Sequence, residues 1–462
     1  MSKMKKNDFF KSQLGVVLAA AGSAVGLGNL WAFPYKAGAN GGGIFILMYL
    51  FFALCLGLPV MISEFIIGKN ASNSSSIRMF DRIPTENEKR PVFFKSIGIL
   101  GCISSIMVAS FYAIIAGWSF EYLLMGITEG YSAFAQGPEY ASVYFGSLVT
   151  NFELSTIYGV TFIVLTLCIS FFGINAGIEK MSKVLMPLLV VILILLLVNG
   201  VLSGGFAKTV NFLIFPSLTS FDGTKVNIAS AALTAMSQAF FSLSLGMAGM
   251  ITYGSYMPKE SNVISTSLKI VTFDTLVAFL AGFAIFPIVF AQGLDPAQGT
   301  GLVFNSLTVC FANLKLGRLL GILTFSLLLI AAITSLVSML ETVISAVIGG
   351  TKIERKGVVV VIGLFVILGS VLCQPALGLS ASFLEFAADN LMDQFDQLTM
   401  NMFIPFTSLL TVLFVGFRIR KDLVISEFRS QSLGNKFYFY IRFVLPIILC
   451  FVMFIGLKDL FT

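Results

Sequence analysis

The stretch AAAGSAVGLGNLWAFP, Ala19 to Pro34, decides how this chain is read. It lies within the first long apolar segment, so it is expected to cross a membrane as a helix. Yet it carries Gly22, Gly26, Gly28, Asn29 and Pro34. Hydrocarbon offers the backbone no hydrogen bonds, so non-helical chain at membrane depth is tolerated only where it is enclosed by protein or lines a wet cavity. There the freed carbonyls face inward and can coordinate a cation. The amide ends of half-helices carry a partial positive charge and can hold a carboxylate. The other reading is that the glycines are contacts where helices pack closely.

The rest of the chain agrees with a membrane location. Of its 462 residues 57% are hydrophobic and 11% charged, with mean hydropathy +0.94. Apolar runs of about 20 residues separated by short charged loops describe a polytopic helical membrane protein. The strict alternation of a membrane β-barrel is missing. Eleven spans are expected, at 12–36, 44–68, 92–125, 157–174, 181–203, 228–254, 262–292, 317–348, 357–374, 397–417 and 437–457. The N-terminal lysines mimic the start of a signal peptide. However, the apolar run continues through Phe33 and another span follows at once, so it is read as the first span of the mature chain.

Orientation follows from lysine and arginine. With the 1–11 tail inside, 23 of the 29 basic residues fall in inner segments. The outside keeps Lys36, Lys208, Lys225, Lys315, Arg318 and Lys458. The net charge of +6 therefore reflects topology, not nucleic-acid binding. The expected location is a bacterial inner membrane, with the N-terminus cytoplasmic and the C-terminus outside. The longest outer loops are 126–156, 204–227 and 293–316; the last holds a turn-rich piece before a short apolar helix that could cap the outer face. The six cysteines show no metal or disulfide spacing, and there is no histidine for a proton relay. No nucleophile–base constellation or nucleotide loop is visible, so an enzyme is not expected, nor an organic cofactor.

A second interruption, FFSLSLGMAG at Phe240–Gly249, sits midway along the sixth span. The first and sixth spans start on opposite sides of the membrane. Two five-helix halves of opposite orientation, each opening with a glycine-interrupted helix, point to an inverted-repeat transporter. The expected divisions are residues 12–203 for the first repeat, 228–417 for the second and 437–457 for an eleventh helix.

These two stretches, with NGGG at Asn40–Gly43 and AAITSLVSMLE at Ala331–Glu341, resemble the bacterial branch of the neurotransmitter:sodium symporter family. The resemblance runs in order along nearly the whole chain. It implies an all-α, five-plus-five inverted-repeat transporter with discontinuous first and sixth helices, importing an amino acid with sodium by alternating access. Matched residue by residue, it implies two sodium sites. The first is formed by the carbonyl of Ala24, the side-chain oxygen of Asn29, Ser242, Asp274 and the substrate carboxylate. The second is formed by carbonyls of Gly22, Val25 and Ala331 and hydroxyls of Thr334 and Ser335. Sodium is a hard cation, suited to such oxygen ligands. On its own, the Thr334–Ser335 pair also fits hydroxyls bonded back to the preceding helical turn.

The implied substrate pocket comprises Ser23, Ala24, Leu27, Gly28, Val108, Tyr112, Phe241, Ser244, Met247, Ser335 and Met339. Tyr112 would bond the substrate carboxylate, and Phe241 would lie over the pocket as an outer lid. Monoamine-carrying members are expected to have an aspartate where this chain has Gly26, so a substrate that brings its own carboxylate fits better. The apolar pocket favours a hydrophobic or aromatic L-amino acid. The resemblance also implies that Glu64, in PVMISEFIIG, braces the two unwound segments. Charged groups inside a bilayer cost about 2.5–3.5 kcal/mol on insertion scales and are functional by default. Asp274 matches a frequent asparagine; beside Tyr49, Gln238 and Ser242 its negative charge would replace a chloride, making transport chloride-independent.

Departures from the family pattern fall at the gates. Ala32 stands where relatives carry an arginine that pairs with the acid matching Asp396; Lys36, one turn on, is the candidate substitute. Asn7 and Gly349 stand where an inner arginine–aspartate pair is expected, leaving Lys5 or Lys6 to tether the tail and both gates resting on packing more than on charge. Gly177 and Pro187 share a spacing with bacterial relatives that permits the fifth helix to unwind, although a plain proline kink also fits. Alternatives to sodium symport are proton-coupled transport on the same fold, a channel, and an amino-acid sensor without flux. The expected partners are the substrate, sodium ions and the lipid bilayer, in a monomer or homodimer.

Overall fold

The computed structural model describes residues 9–71, 75–86, 92–220, 223–296, 301–382 and 388–461. Lys5, Lys6 and Asn7 lie outside the described residues. Among the described residues the chain is helical, and its only β-pairing is three isolated bridges. The helices that matter here are α1 (Gln13–Ala24), α2 (Gly28–Ala39), α3 (Gly43–Asn70), α4 (Lys95–Thr128), α5 (Pro138–Thr150), α6 (Phe152–Phe171), α7 (Ile174–Leu202), α8 (Phe206–Ile214), α9 (Ile228–Ser242), α10 (Gly249–Ser255), α11 (Val263–Ala291), α12 (Leu302–Asn313), α13 (Gly317–Gly350), α14 (Arg355–Leu372), α15 (Leu391–Phe417) and α16 (Gln431–Gly456).

Nine described helices are long and apolar enough to cross a bilayer unaided. The first expected span is instead the pair α1 and α2, bent by 48°. The sixth is the pair α9 and α10, too short individually to span and separated by Leu243–Ala248. α12 is the short apolar helix expected after the turn-rich outer loop.

The helices sort into an inner set and an outer ring. α4 and α13, 34 residues each, pack along one another, and 78% and 72% of their apolar windows are buried. At 1.5 Å per residue each is about 51 Å long, so both must tilt in a hydrocarbon core about 30 Å thick. α6, α7, α14 and α16 have only 33% of theirs buried and turn apolar side chains outward to lipid.

Sequence explains where the broken helices stop. Ser12 caps α1 by accepting from the Gly15 amide. The helix ends at Val25, which turns to extended backbone at ψ 103°. Pro34, which lacks an N–H, sits in the first turn after the π-helical Gly28–Ala32, where no donor is needed. α9 ends in a run where Ser244, Gly246 and Ala248 all have positive φ, at 52°, 69° and 56°. Two of these are not glycine, at a cost of roughly 1–3 kcal/mol each, so the surroundings must hold them.

α3 and α10 touch through glycine. A Cβ at Gly68 would stand 2.1 Å from the Ile251 carbonyl, and one at Gly254 3.1 Å from the Gly68 Cα. We expect Gly68→Val to destabilise the protein by about 1–3 kcal/mol through overpacking. The melting temperature of the purified protein should drop, whereas Gly146→Val, in open space, should leave it unchanged.

Candidate functional site

The two breaks face each other in the interior and are tied by side-chain-to-backbone bonds. Gln238 donates to the Gly28 carbonyl at 2.7 Å, Ser244 Oγ to the Ser23 carbonyl at 2.8 Å, and the Gly246 amide to Glu64 Oε1 at 2.8 Å. Glu64 is fully buried on α3. Its carboxylate therefore holds the strained α9–α10 turn; the bond to the first break that the resemblance also implied is not formed among the described residues.

Between the breaks lies a nearly closed cleft with a free volume of about 10 Å³, lined by Ser23, Ala24, Gly26, Gly28, Tyr112, Phe241, Ser242, Ser244, Ser335 and Met339. Leu27, Val108 and Met247 are close by but do not line it. The Leu27 amide donates to the Tyr112 hydroxyl at 2.8 Å, and Leu27 itself lines the neighbouring outer cavity. Val108 is buried one turn before Tyr112 on α4. The Met247 backbone turns toward α4, where its carbonyl accepts from Ser105 at 2.9 Å.

Gly26 has no room for a side chain: a Cβ would stand 2.4 Å from the Tyr112 hydroxyl and 2.5 Å from Ser335 Oγ. An acidic side chain is thus excluded on steric grounds at the position where an amine would need it.

Two oxygen-rich clusters flank the cleft. In the first, fully buried Asp274 on α11 accepts from Asn29 Nδ2 at 2.8 Å, from Ser242 Oγ at 2.8 Å and from the Tyr49 hydroxyl at 3.0 Å. Asn29 Nδ2 is also 3.0 Å from Ser242 Oγ and 3.1 Å from the Asp274 carbonyl, and Asn29 Oδ1 accepts from the Gly26 amide. Among the described residues no lysine or arginine forms an ion pair with Asp274. A buried anion held by neutral donors alone is strongly disfavoured without a counter-charge. A monovalent cation at this cluster would supply it.

In the second cluster, Ser335 Oγ lies 3.3, 3.1 and 3.3 Å from the carbonyls of Gly22, Ser23 and Val25. Beside it, Thr334 Oγ1 bonds back to the carbonyls of Ile330 and Ala331 in its own helix at 3.3 and 3.0 Å. Three carbonyls of the first span therefore gather around the Ser335 hydroxyl, more acceptors than its one proton can serve. This surplus of lone pairs suits a hard cation. The back-bonding of Thr334 is the bland arrangement foreseen for it, but Ser335 reaches across to the break in the first span.

Tyr112 and Phe241 line both this cleft and an outer cavity bounded by Trp31, Tyr35, Lys36, Met392, Asp393 and Asp396. They form the partition between the two. Lys36, the candidate substitute for the missing arginine, lines this cavity with Asp396 but forms no ion pair with it among the described residues; its Nζ donates to Gln238 Oε1 at 3.0 Å, on the same amide that holds Gly28.

The opposite end corrects the expectation of a gate resting on packing. Phe10 is buried, its amide donates to the Tyr256 carbonyl at 3.1 Å, and its ring meets Tyr253 edge-on at 5.7 Å. Two buried acids add charge to this packing. Glu179, at the start of α7, accepts from the Lys11 amide at 2.9 Å, Ser12 Oγ at 3.4 Å and Lys183 Nζ at 2.6 Å. Glu341 accepts from the Tyr256 hydroxyl at 2.9 Å and pairs with Arg355, which also donates to the Ser170 carbonyl. Both acids stood in apolar sequence, INAGIEK and SLVSMLE, and that isolation was the available signal.

Crossing helices, paired breaks and cation-ready oxygens define a sodium-dependent membrane transporter rather than an enzyme. The sequence model of the Sodium:neurotransmitter symporter family matches residues 7–134 and 145–461, and the chain belongs to that family. It is 34% identical over 453 residues to YhdH, an uncharacterized sodium-dependent transporter of Bacillus subtilis (strain 168), covering 96% of this chain and 97% of the relative. It is 30% identical over 458 residues to an uncharacterized sodium-dependent transporter of Haemophilus influenzae, covering 98% of each. The crystal structure of MhsT in complex with L-phenylalanine superposes with TM-score 0.86 at 33% identity, covering 97% of this chain and 99% of that one.

The crowding at Gly26 yields a test. Gly26→Ala should push Tyr112 and Ser335 aside and weaken sodium-dependent ligand binding at least tenfold, measured by scintillation proximity on purified protein.

Proposed function

We propose that the protein is a symporter that imports a hydrophobic or aromatic L-amino acid with two sodium ions, without chloride, by alternating access between two inverted five-helix repeats. The observation that carries this reading is Asp274. A fixed carboxylate sits among the Tyr49 and Ser242 hydroxyls, beside Asn29 at the break. In that position it compensates a sodium ion, and a mobile anion is superfluous. Ala24, Asn29, Ser242, Asp274 and the substrate carboxylate would hold the first ion. Gly22, Val25, Ala331, Thr334 and Ser335 would hold the second.

The substrate would lie in the cleft with its carboxylate at Tyr112 and the first sodium, and its side chain toward Phe241 and Met339. The apolar side chains of Phe241 and Met339 in the lining, the absence of room at Gly26 and the phenylalanine bound to MhsT support such a ligand. The excess of basic residues in one set of loops supports a cytoplasmic N-terminus.

The cycle follows from the two partitions. Sodium entering from outside orders the breaks and the substrate completes the first site. Phe241 and Tyr112 close the cleft outward, assisted by Lys36 opposite Asp396. Inward release then requires Glu179 to let go of the start of α1 as α7 loosens between Gly177 and Pro187. Two charges moving through 100 mV supply about 4.6 kcal/mol, enough for roughly 10³-fold accumulation of a neutral zwitterion.

Proteoliposomes test the coupling. An inward sodium gradient should drive uptake of labelled L-phenylalanine or L-leucine, and a pH gradient alone should not; the reverse result would assign proton coupling. Asp274→Asn should cut chloride-free uptake at least tenfold and make the remainder respond to chloride. Unaltered chloride-free uptake would remove the ground for chloride independence. For the inner partition, Glu179→Gln should speed hydrogen–deuterium exchange several-fold in residues 11–24 and 174–186. Exchange equal to wild type would show that Glu179 does not hold these segments together.

A further inference from the structure

Far from the transport pathway, Arg442 lies within α16, packed against the C-terminal end of α15 at Gly416 and Phe417. A π-helical turn at Tyr440–Val444 places it. Gly416 lets α16 come in close, since a Cβ there would stand 3.0 Å from the Arg442 Cα. The guanidinium carbon lies 4.9 Å from the Phe417 ring centroid, 5.5 Å from that of Phe443 and 5.7 Å from that of Tyr438. Aromatic faces attract a guanidinium, yet they leave its in-plane N–H edges free to donate.

Those edges are under-used. One nitrogen donates to the Tyr438 hydroxyl at 3.2 Å, while Nε is buried with no acceptor. Other cations near membrane-facing ends have carboxylates: Lys69 has Glu427, Arg420 has Asp422 and Arg355 has Glu341. Among the described residues no ion pair involves Arg442. Glu86, whose amide donates to the Arg418 carbonyl, is exposed and forms no ion pair with Arg442. Arg418 and Lys421 add positive charge to the same end, stacked over Phe94 and Tyr438.

The surroundings select the acceptor. Phe417 and Phe443 are 41% and 47% exposed, and Phe439 beside them 59%. A soluble anion would satisfy the guanidinium and leave these rings bare. A phospholipid satisfies both, its phosphate taking the planar N–H fork and its acyl chains covering the rings. Basic pockets at the ends of membrane helices recognise anionic headgroups on this electrostatic basis. We propose that Arg442, with its ring of Phe417, Tyr438 and Phe443, binds the phosphate of one anionic phospholipid at the membrane boundary between α15 and α16. The site needs only the membrane location of the chain and is independent of which substrate or ion is carried.

The test counts lipid adducts on the purified full-length protein by native mass spectrometry, with melting temperature in parallel. The probes are phosphatidylglycerol, phosphatidylcholine and inorganic phosphate. The wild type should retain one phosphatidylglycerol at least tenfold more strongly than phosphatidylcholine, and its melting temperature should rise with that lipid alone. Arg442→Gln should lose the adduct, Arg442→Lys should weaken it several-fold by losing the planar fork, and Arg420→Gln should bind as wild type. If Arg442→Gln does not fold, Arg442→Lys carries the comparison. Equal retention in wild type and the position-442 variants would overturn the proposal. So would equal retention of the two lipids. Displacement of the lipid by millimolar phosphate would reassign the site to a soluble anion.

Discussion

A buried carboxylate that has no basic partner among the described residues organises the centre of this molecule. Asp274 joins α11 to the first break through Asn29, to α9 through Ser242 and to α3 through Tyr49. Placing an anion there is costly, and neutral donors offset only part of that cost. The energetic deficit is a specification for a ligand of positive charge. The contacts that surround this carboxylate also join the first break to α9, so its charge and the geometry of the breaks are tied together.

The two sides of the cleft are closed by different means. Outward, the partition is thin: Tyr112 and Phe241 alone border both cavities. Inward, closure involves the start of α1, α7, α10, α13 and α14, stitched by Phe10, Glu179, Glu341 and Arg355. Opening inward must therefore disturb several helices together, whereas opening outward need not. That asymmetry fits a carrier whose occupied state is entered easily from one side and left with difficulty toward the other.

Charge at the gates has been relocated rather than lost. Lys36 stands one turn beyond Ala32 and grips Gln238, the same amide that steadies Gly28. On the inner side no residue at position 349 could carry the expected acid, because a Cβ at Gly349 would stand 2.3 Å from the Ser75 side chain. Glu179 on α7 and Glu341, about two turns earlier on α13 itself, carry the charge there instead. The long side chains of lysine and glutamate make such relocation feasible, since their charged ends reach well beyond their own turn.

The membrane class, the positions of the spans and the two interruptions were legible in the sequence. Hydrocarbon forces every uninterrupted span to be apolar and helical, so glycine, asparagine and proline in such runs stand out. Glu64 and Asp274 were visible for the same reason. What only the tertiary structure decided is which groups meet. Ser335 reaches the carbonyls of Gly22, Ser23 and Val25 across more than 300 residues of chain. Leu27 faces the outer cavity rather than the cleft, and the stacked guanidinium of Arg442 gave no sign in the sequence. Periodicity and hydropathy report the contact of each residue with its solvent, be it lipid or water. They carry no record of the long-range pairings that gather oxygens around a cation, and those are set by how the helices pack.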